Sequence, residues 1–314
     1  PTPSPTPGCS EIAATRVVSV SSASQLSSAL SNARAGDRIQ LADGTYQGQF
    51  KLNASGSASQ PIVLCGSRQA VIQTGSLTSG NGLVIYGDYW RLIGFTVTKS
   101  MGGIAIVGGN YNVIDNLEVR GVGQAGIHMH SYSSHNIVRN SRVHDTGQYQ
   151  GAYGEGVYIG SYNGQWCSRT NCQPDRSDAN EVRNNVFGPY VKAQNVDIKE
   201  GTTGTIVTGN TFSGVGMVSD NYNRSWVFVG GNRAVITDNK GSVSLKHGFE
   251  EASPLSAGGT TWSTGNVFRR NTADVQSSGY GFSLMGGTSG ANVVGCDNSV
   301  TNAGSGFSNV RCTP

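Results

Sequence analysis

The chain has 314 residues, a net charge of +3, only 13% charged residues and 45 glycines, with abundant Ser, Thr and Asn. No basic run offers nucleic acid a footprint, and no stretch approaches the ~20 apolar residues of a membrane helix. Such a composition favours many tight turns joining short strands.

The first eight residues, PTPSPTPG, read as an extended, disordered linker. A linker predicts another module on its far side, such as a carbohydrate-binding domain. Residues 22–36 supply the one helix candidate. Leu26, Leu30 and Ala33 share a face, Ser22 or Ser24 can cap the start, and Gly36 can end it. In AGDRIQLADGTYQGQF, Ile39 and Leu41 alternate with Arg38 and Gln40, which predicts the first strand.

A short phrase then recurs: Leu92-x-x-Phe95-x-Val97, Ile114-x-x-Leu117-x-Val119, Val138-x-x-Ser141-x-Val143 and Val182-x-x-Asn185-x-Phe187. It continues through Val207-x-x-Asn210-x-Phe212, Ile236-x-x-Asn239-x-Gly241 and Phe268-x-x-Asn271-x-Ala273 to Asn298-x-Val300. Successive ladder positions lie 22, 24, 44, 25, 29, 32 and 27 residues apart, a solenoid period broken by insertions. Asn stacked at one bend can bond the coils above and below. The expected fold is all-β, a parallel β-helix forming one domain over residues 9–314, with the N-terminal helix covering its open end.

Alternation fixes which residues of the next strand in each coil face out. The apolar set (Ile104/Ile106, Ile127/Met129, Val157/Ile159, Val196/Ile198 and Val227/Val229) must point in. One outward column then reads Ala105, His128, Tyr158, Asp197, Phe228, Glu250, Ser283, and the next contains Val107, His130, Gly160 and Lys199. With coils about 4.8 Å apart, His128, Tyr158, Asp197 and Lys199 share one patch, with Glu155 and Trp226 at its edge. This register would bury Glu251, so the strand is expected to end at Glu250.

The insertion SYNGQWCSRTNCQPDRSDAN (161–180) follows the Tyr158 strand. Tyr162 and Trp166 there are either sugar-stacking platforms or aromatics folded under their own loop. Residues 145–154, with Tyr149 and Tyr153, form the opposite wall, and 213–226 adds Tyr222, Arg224 and Trp226. Arg224 suits an acidic sugar. Six cysteines point to an oxidising, extracellular setting. Of 15 possible pairings, the local one is Cys9–Cys65, Cys167–Cys172 and Cys296–Cys312.

LSSALSNARAGDRIQLADGTY, the Asn ladder and VDIKEGTTGTIVTGNTF resemble right-handed parallel β-helix polysaccharide lyases, a group that includes alginate lyases, chondroitinase B and some pectate lyases. The resemblance implies a right-handed coil, a groove along this sheet, a polysaccharide substrate and secretion. It also implies Lys199 as base, and calcium as the cofactor to look for. In β-elimination on a uronate, Lys199 takes the proton, His128 or His130 neutralises the carboxylate or acts as base instead, and Tyr158 protonates the leaving oxygen. A salt bridge from Lys199 to Asp197 or Glu200 would instead keep it charged. Glu155 and Asp197 complete the catalytic candidates. Trp226, Arg224, Tyr153, Tyr162, Trp166 and Glu250 are the substrate-binding candidates.

Three alternatives stay open. Asp197 and Glu250, two coils or about 9.6 Å apart, or Asp197 and Glu155, at about 8 Å, suit an inverting glycoside hydrolase. His128-x-His130 can form half of a metal site. A non-catalytic carbohydrate-binding or adhesin β-helix would keep the aromatic groove without needing Lys199.

Overall fold

In a computed structural model, which describes residues 8–11, 13–220, 223–287 and 291–314, the chain winds into a parallel β-helix. Most of the expected linker, residues 1–7, lies outside the described residues. Each coil visits three sheets in turn. The first has 11 strands, from Arg16–Val20 to Val293–Val294. The second has 10, from Gly44–Gln47 to Ser299–Ala303, and the third has 10, from Phe50–Leu52 to Gly306–Ser308. All strand pairs in these sheets are parallel; a small antiparallel hairpin, Leu255–Ala257 with Thr260–Trp262, stands outside them.

The helix is Ala23–Ser31. Ser22 caps it by accepting from the Gln25 N–H at 3.3 Å, and Leu26, Ala29 and Leu30 face the core. It stops at Asn32, before Gly36, whose φ of +83° belongs to the turn into strand Asp37–Leu41.

The Asn ladder holds one corner. Asn185, Asn210, Asn239 and Asn271 each donate their backbone N–H to the side-chain oxygen of the next ladder Asn, at 2.8–3.1 Å. Their side-chain amides donate on to the same oxygen and to carbonyls such as Val182 and Val207. The buried amides of these four ladder residues are thereby satisfied by the neighbouring coils.

A second ladder five residues earlier escaped the sequence reading. The Asn112 N–H donates to Asn136 and the Asn136 N–H to Asn180, each at 2.9 Å, and the Asn266 N–H donates to Asn292 at 2.8 Å. Thr205 and Ala234 interrupt it. Glu251 joins this ladder, so the expectation that the strand ends at Glu250 is corrected. Strand His247–Glu251 runs on, and Glu251 is fully buried, accepting from the side-chain amides of Asn266 and Asn292. Burial raises its pKa to about 8, so it sits inside as the neutral acid.

The core is a continuous inward stack. Phe187, Phe212, Phe249, Phe268 and Phe282 are all buried, with the Phe249 and Phe282 rings stacked at 5.1 Å. Disulfides join Cys9 to Cys65, Cys167 to Cys172 and Cys296 to Cys312.

Candidate active site

Strict alternation in the third sheet sets the site. Ile127, Met129, Val157, Ile159, Val196 and Ile198 are fully buried. Between them, His128, Tyr158, Asp197, Phe228, Glu250 and Ser283 pair in register down one outward column. His128, Glu155, Tyr158, Lys199, Arg169 and Arg224 line a cavity of about 900 Å³ on this face, together with Gln124, Gln150, Gln194, Tyr153, Tyr162 and Phe228.

The Lys199 ammonium lies 3.0 Å from Asp197 and over the rings of Tyr158 and Phe228, 5.5 and 5.3 Å from their centroids. Burial acts to lower the Lys199 pKa, but Asp197, Glu200 and Glu155 outweigh it and hold it above the usual lysine value. The resting group is therefore an ammonium, not the free amine of a ready base. Asp197 is itself buried, and its Oδ1 has no hydrogen-bond partner.

His128 is neutral. Burial, with His130 and Arg169 nearby, pushes its pKa well below the usual imidazole value. Its Nε2 lies 3.1 Å from the Gly160 carbonyl, which can only accept. Nε2 therefore carries the proton and Nδ1 keeps its lone pair. The ring sits between His130 and Tyr158, at centroid distances of 4.4 and 4.3 Å. His130 is held neutral as well, with burial and Arg169 lowering its pKa to about 4. Burial, then Asp197 and Glu155, hold the Tyr158 phenol well above its ordinary value, so it stays a proton donor. Burial and Asp197 raise Glu155 to about 8.

Several expected binding residues are elsewhere. Trp226 is not at the groove edge but in the core, packed edge-on against Phe249 with its Nε1 donating to the Val243 carbonyl at 3.0 Å. The cause is an exchange of volume between coils. At this column Gly103, Gly126 and Gly156 make room for Val119, Val143 and Phe187 of the following coil. Trp226 takes the glycine position, and Gly241 opposite it gives up the side chain; a Cβ there would lie 2.4 Å from the indole.

Trp166 is also buried. Its Nε1 donates to the Ser161 carbonyl at 3.0 Å, and its ring meets Trp262 of the outlying hairpin edge-on at 6.3 Å. The insertion thus folds over its own tryptophan, and only Tyr162 of the expected pair faces the groove. Glu250 is buried beneath Arg224, to which it is ion-paired. Tyr153 and Tyr149 are exposed on the opposite wall, and Tyr153 lines the cavity. Tyr222 lies outside the described residues.

Arg169 was not singled out in the sequence. Its loop is anchored by buried Asp175, which accepts from the Ser131 and Tyr132 N–H groups at 3.0 and 2.9 Å. Arg169 thereby lies over His130, with Nη1 2.9 Å from both ring nitrogens. Its other partner is the Gln165 side-chain oxygen at 3.0 Å. Among the described residues it pairs with no carboxylate, unlike Lys199 and Arg224, so it is a groove cation open to an anionic ligand.

The carboxylates do not suit calcium. Asp197 and Glu250 are committed to Lys199 and Arg224, and Glu155 is largely protonated at neutral pH. Among the described residues, no group of three His, Cys, Asp or Glu is arranged to hold a metal, His128 and His130 included. The hydrolase pairings draw on the same groups. Asp197 and Glu250 are both buried against cations, while Glu155, the other partner for Asp197, is largely protonated at neutral pH, as a general acid would be.

Fold and site together define a parallel β-helix with a cationic groove along one sheet. The chain belongs to the Pel9A-like right-handed β-helix family, whose description matches residues 10–168. It is similar to the alginate lyase of Paenibacillus sp. str. FPU-7, with 36% identity and a TM-score of 0.87, covering 95% of this chain and 100% of that one. It shares its fold with pectate lyase Pel9A at 18% identity and a TM-score of 0.65, over 97% of this chain and 80% of that one. It also shares it with the catalytic domain of a GH87 α-1,3-glucanase at 12% identity and a TM-score of 0.51, over 96% and 60% respectively. No curated protein matches the sequence. The glucanase carries the same fold, so the coil alone does not choose between elimination and hydrolysis.

Proposed function

We propose that this protein is a polysaccharide lyase that cleaves a polyuronate of the alginate kind by β-elimination. The observation that carries the reading is a groove whose acids are neutral or paired while Arg169 remains open, beside a neutral His128 and a protonated Tyr158. The full-length likeness to an alginate lyase supports the substrate class. The three disulfides suit an extracellular enzyme.

In the proposed reaction Arg169 and Lys199 bind the uronate carboxylate, which makes the adjacent C5–H acidic. His128 Nδ1 takes that proton. The C5 electron pair forms the C4=C5 double bond as the C4–O bond breaks, and Tyr158 gives its proton to the departing oxygen. The fixed cations stabilise the charge that develops on the carboxylate in the transition state. Lys199 is thus a charge-stabilising group here rather than the base.

A second reading is favoured by the unpartnered Asp197 Oδ1. If Asp197 takes the Lys199 proton when substrate enters, the free amine becomes the base and His128 only positions. The proton stays within the site in the second reading, so pH does not separate the two. Asp197→Asn does: it removes the acceptor that a Lys199 base needs and should abolish turnover, whereas with a His128 base the Lys199 charge remains and measurable turnover should persist.

The test is a panel of polymannuronate, polyguluronate, polygalacturonate and a neutral glucan, read for unsaturated ends by ultraviolet absorbance and for reducing ends. Equal yields of both ends from a polyuronate are expected. Reducing ends without unsaturation would replace the lyase with a hydrolase.

A further inference from the structure

The groove continues past Lys199 to a second cation built on the same column. Phe228 is one coil beyond Asp197 and Glu250 is two, about 9.6 Å away by strand spacing. Glu250 is buried and ion-paired to Arg224, which is partly exposed and lines the cavity. The Arg224 backbone is fixed as well, its carbonyl accepting from the Lys246 and His247 N–H groups at 2.9 Å each. Its Nη2 also lies 3.3 Å from the Met285 sulfur, and its Nε is buried. An arginine held by a buried acid through one Nη keeps the donors of the other Nη for a ligand.

Phe228 lies between the two cations as a partly exposed ring. Lys199 already covers part of it, and the rest forms an apolar floor suited to the C–H face of a sugar.

We propose that Arg224 is a second carboxylate subsite, separated from Lys199 by a sugar platform at Phe228, and that it sets a preference for longer polyuronate chains. The chain would run along the solenoid axis, with one uronate carboxylate at Lys199 and Arg169 and another, further along the same strand of sugars, at Arg224. Glu250 is then a positioning residue that holds the guanidinium. This inference rests on the polyuronate reading, and only its chain-length dependence is new.

The experiment compares kcat/KM on unsaturated-product release from oligouronates of three to eight sugars. It uses the wild type, the double variant Arg224→Met with Glu250→Gln, and Arg224→Lys. The double change removes both charges together, so no lone carboxylate stays buried. The expected result is a roughly tenfold fall in the ratio of kcat/KM on the octamer to that on the trimer, carried mainly by KM, as loss of one charged contact predicts. Arg224→Lys, which keeps the charge but not the fork, should give a smaller fall in the same ratio, and it carries the test alone if the double variant does not fold. An unchanged ratio in the folded variants overturns the subsite. Absence of unsaturated product from the wild type instead overturns the lyase reading.

Discussion

One coil carries the same small motif twice, an acid followed two residues later by a cation. On the first sheet it is Glu181 and Arg183, 3.5 Å apart and each about one-third exposed. On the third sheet it is Asp197 and Lys199, 3.0 Å apart, with side chains 2% and 21% exposed. The two-residue spacing is the same, but the cation is an arginine inside strand Glu181–Arg183 in one and a lysine just past strand Val196–Ile198 in the other, and the surroundings differ. Tyr162 and Arg169 of the insertion at 161–180 and Tyr153 of the wall at 145–154 line a cavity with Lys199 of the second pair; neither residue of the first pair lines it. Exposed pairs of the first kind contribute little, because water screens them and ordering two side chains costs entropy. Enclosure turns the second pair into part of a site, since fixed charges act far more strongly there.

This contrast can be sharpened by substitutions on each side of it. Tyr158→Phe keeps the ring between His128 and Lys199 but removes the donated proton, and should lower kcat by about 10²–10⁴-fold, the worth of a positioned acid. Circular dichroism should show an unchanged fold, because the side chain points away from the core.

His128→Ala should cost at least ~10²-fold in kcat/KM. In the wild type the acid limb of the pH–rate profile should lie below pH 6.5, because burial lowers the His128 pKa and the neutral ring is the active form. A limb above that value would assign the base to another group.

Next comes the buried acid of the second Asn ladder. Glu251 ionises near the ordinary value of 4.5 when unfolded but at about 8 when folded. The unfolded state therefore loses its proton first, and stability contributed by the neutral acid falls as pH rises from about 4.5 to about 8. Glu251→Gln should flatten this fall and be the more stable form at pH 8, by on the order of 2–4 kcal/mol. Denaturant melts at pH 5 and pH 8 check it, and a variant with an undiminished pH slope would place the titrating group elsewhere. The smallest effect is expected on the first sheet, where Arg183→Ala should change stability by less than ~1 kcal/mol.

The coil was legible in sequence because each of its rules is local. Alternation placed Ile127, Val157 and Val196 inward and His128, Tyr158 and Asp197 in line. The ladder from Asn185 to Asn298 declared the corner. The ladder through Asn112, Asn136 and Asn180 carries its own signal, an Asn two residues before Ile114, Val138 and Val182, but Thr205 and Ala234 break the pattern. Trp226 was misplaced because its direction depends on Gly241, whose missing side chain opens the space it fills. Arg169 was invisible because its position follows from Asp175 gripping a coil more than forty residues earlier in the chain. Residues whose place depends on a long-range partner are the ones periodicity cannot locate.

The most direct test sets the two halves of that coil against each other. The rate of unsaturated-product release from the preferred polyuronate is measured for the wild type, Lys199→Ala and Arg183→Ala at neutral pH. The enclosed groove predicts a loss of at least ~10²-fold for Lys199→Ala, the scale set by removing one preorganised charge, and less than a twofold change for Arg183→Ala. Near-normal turnover by a folded Lys199→Ala variant would contradict the assignment of the reaction to this groove.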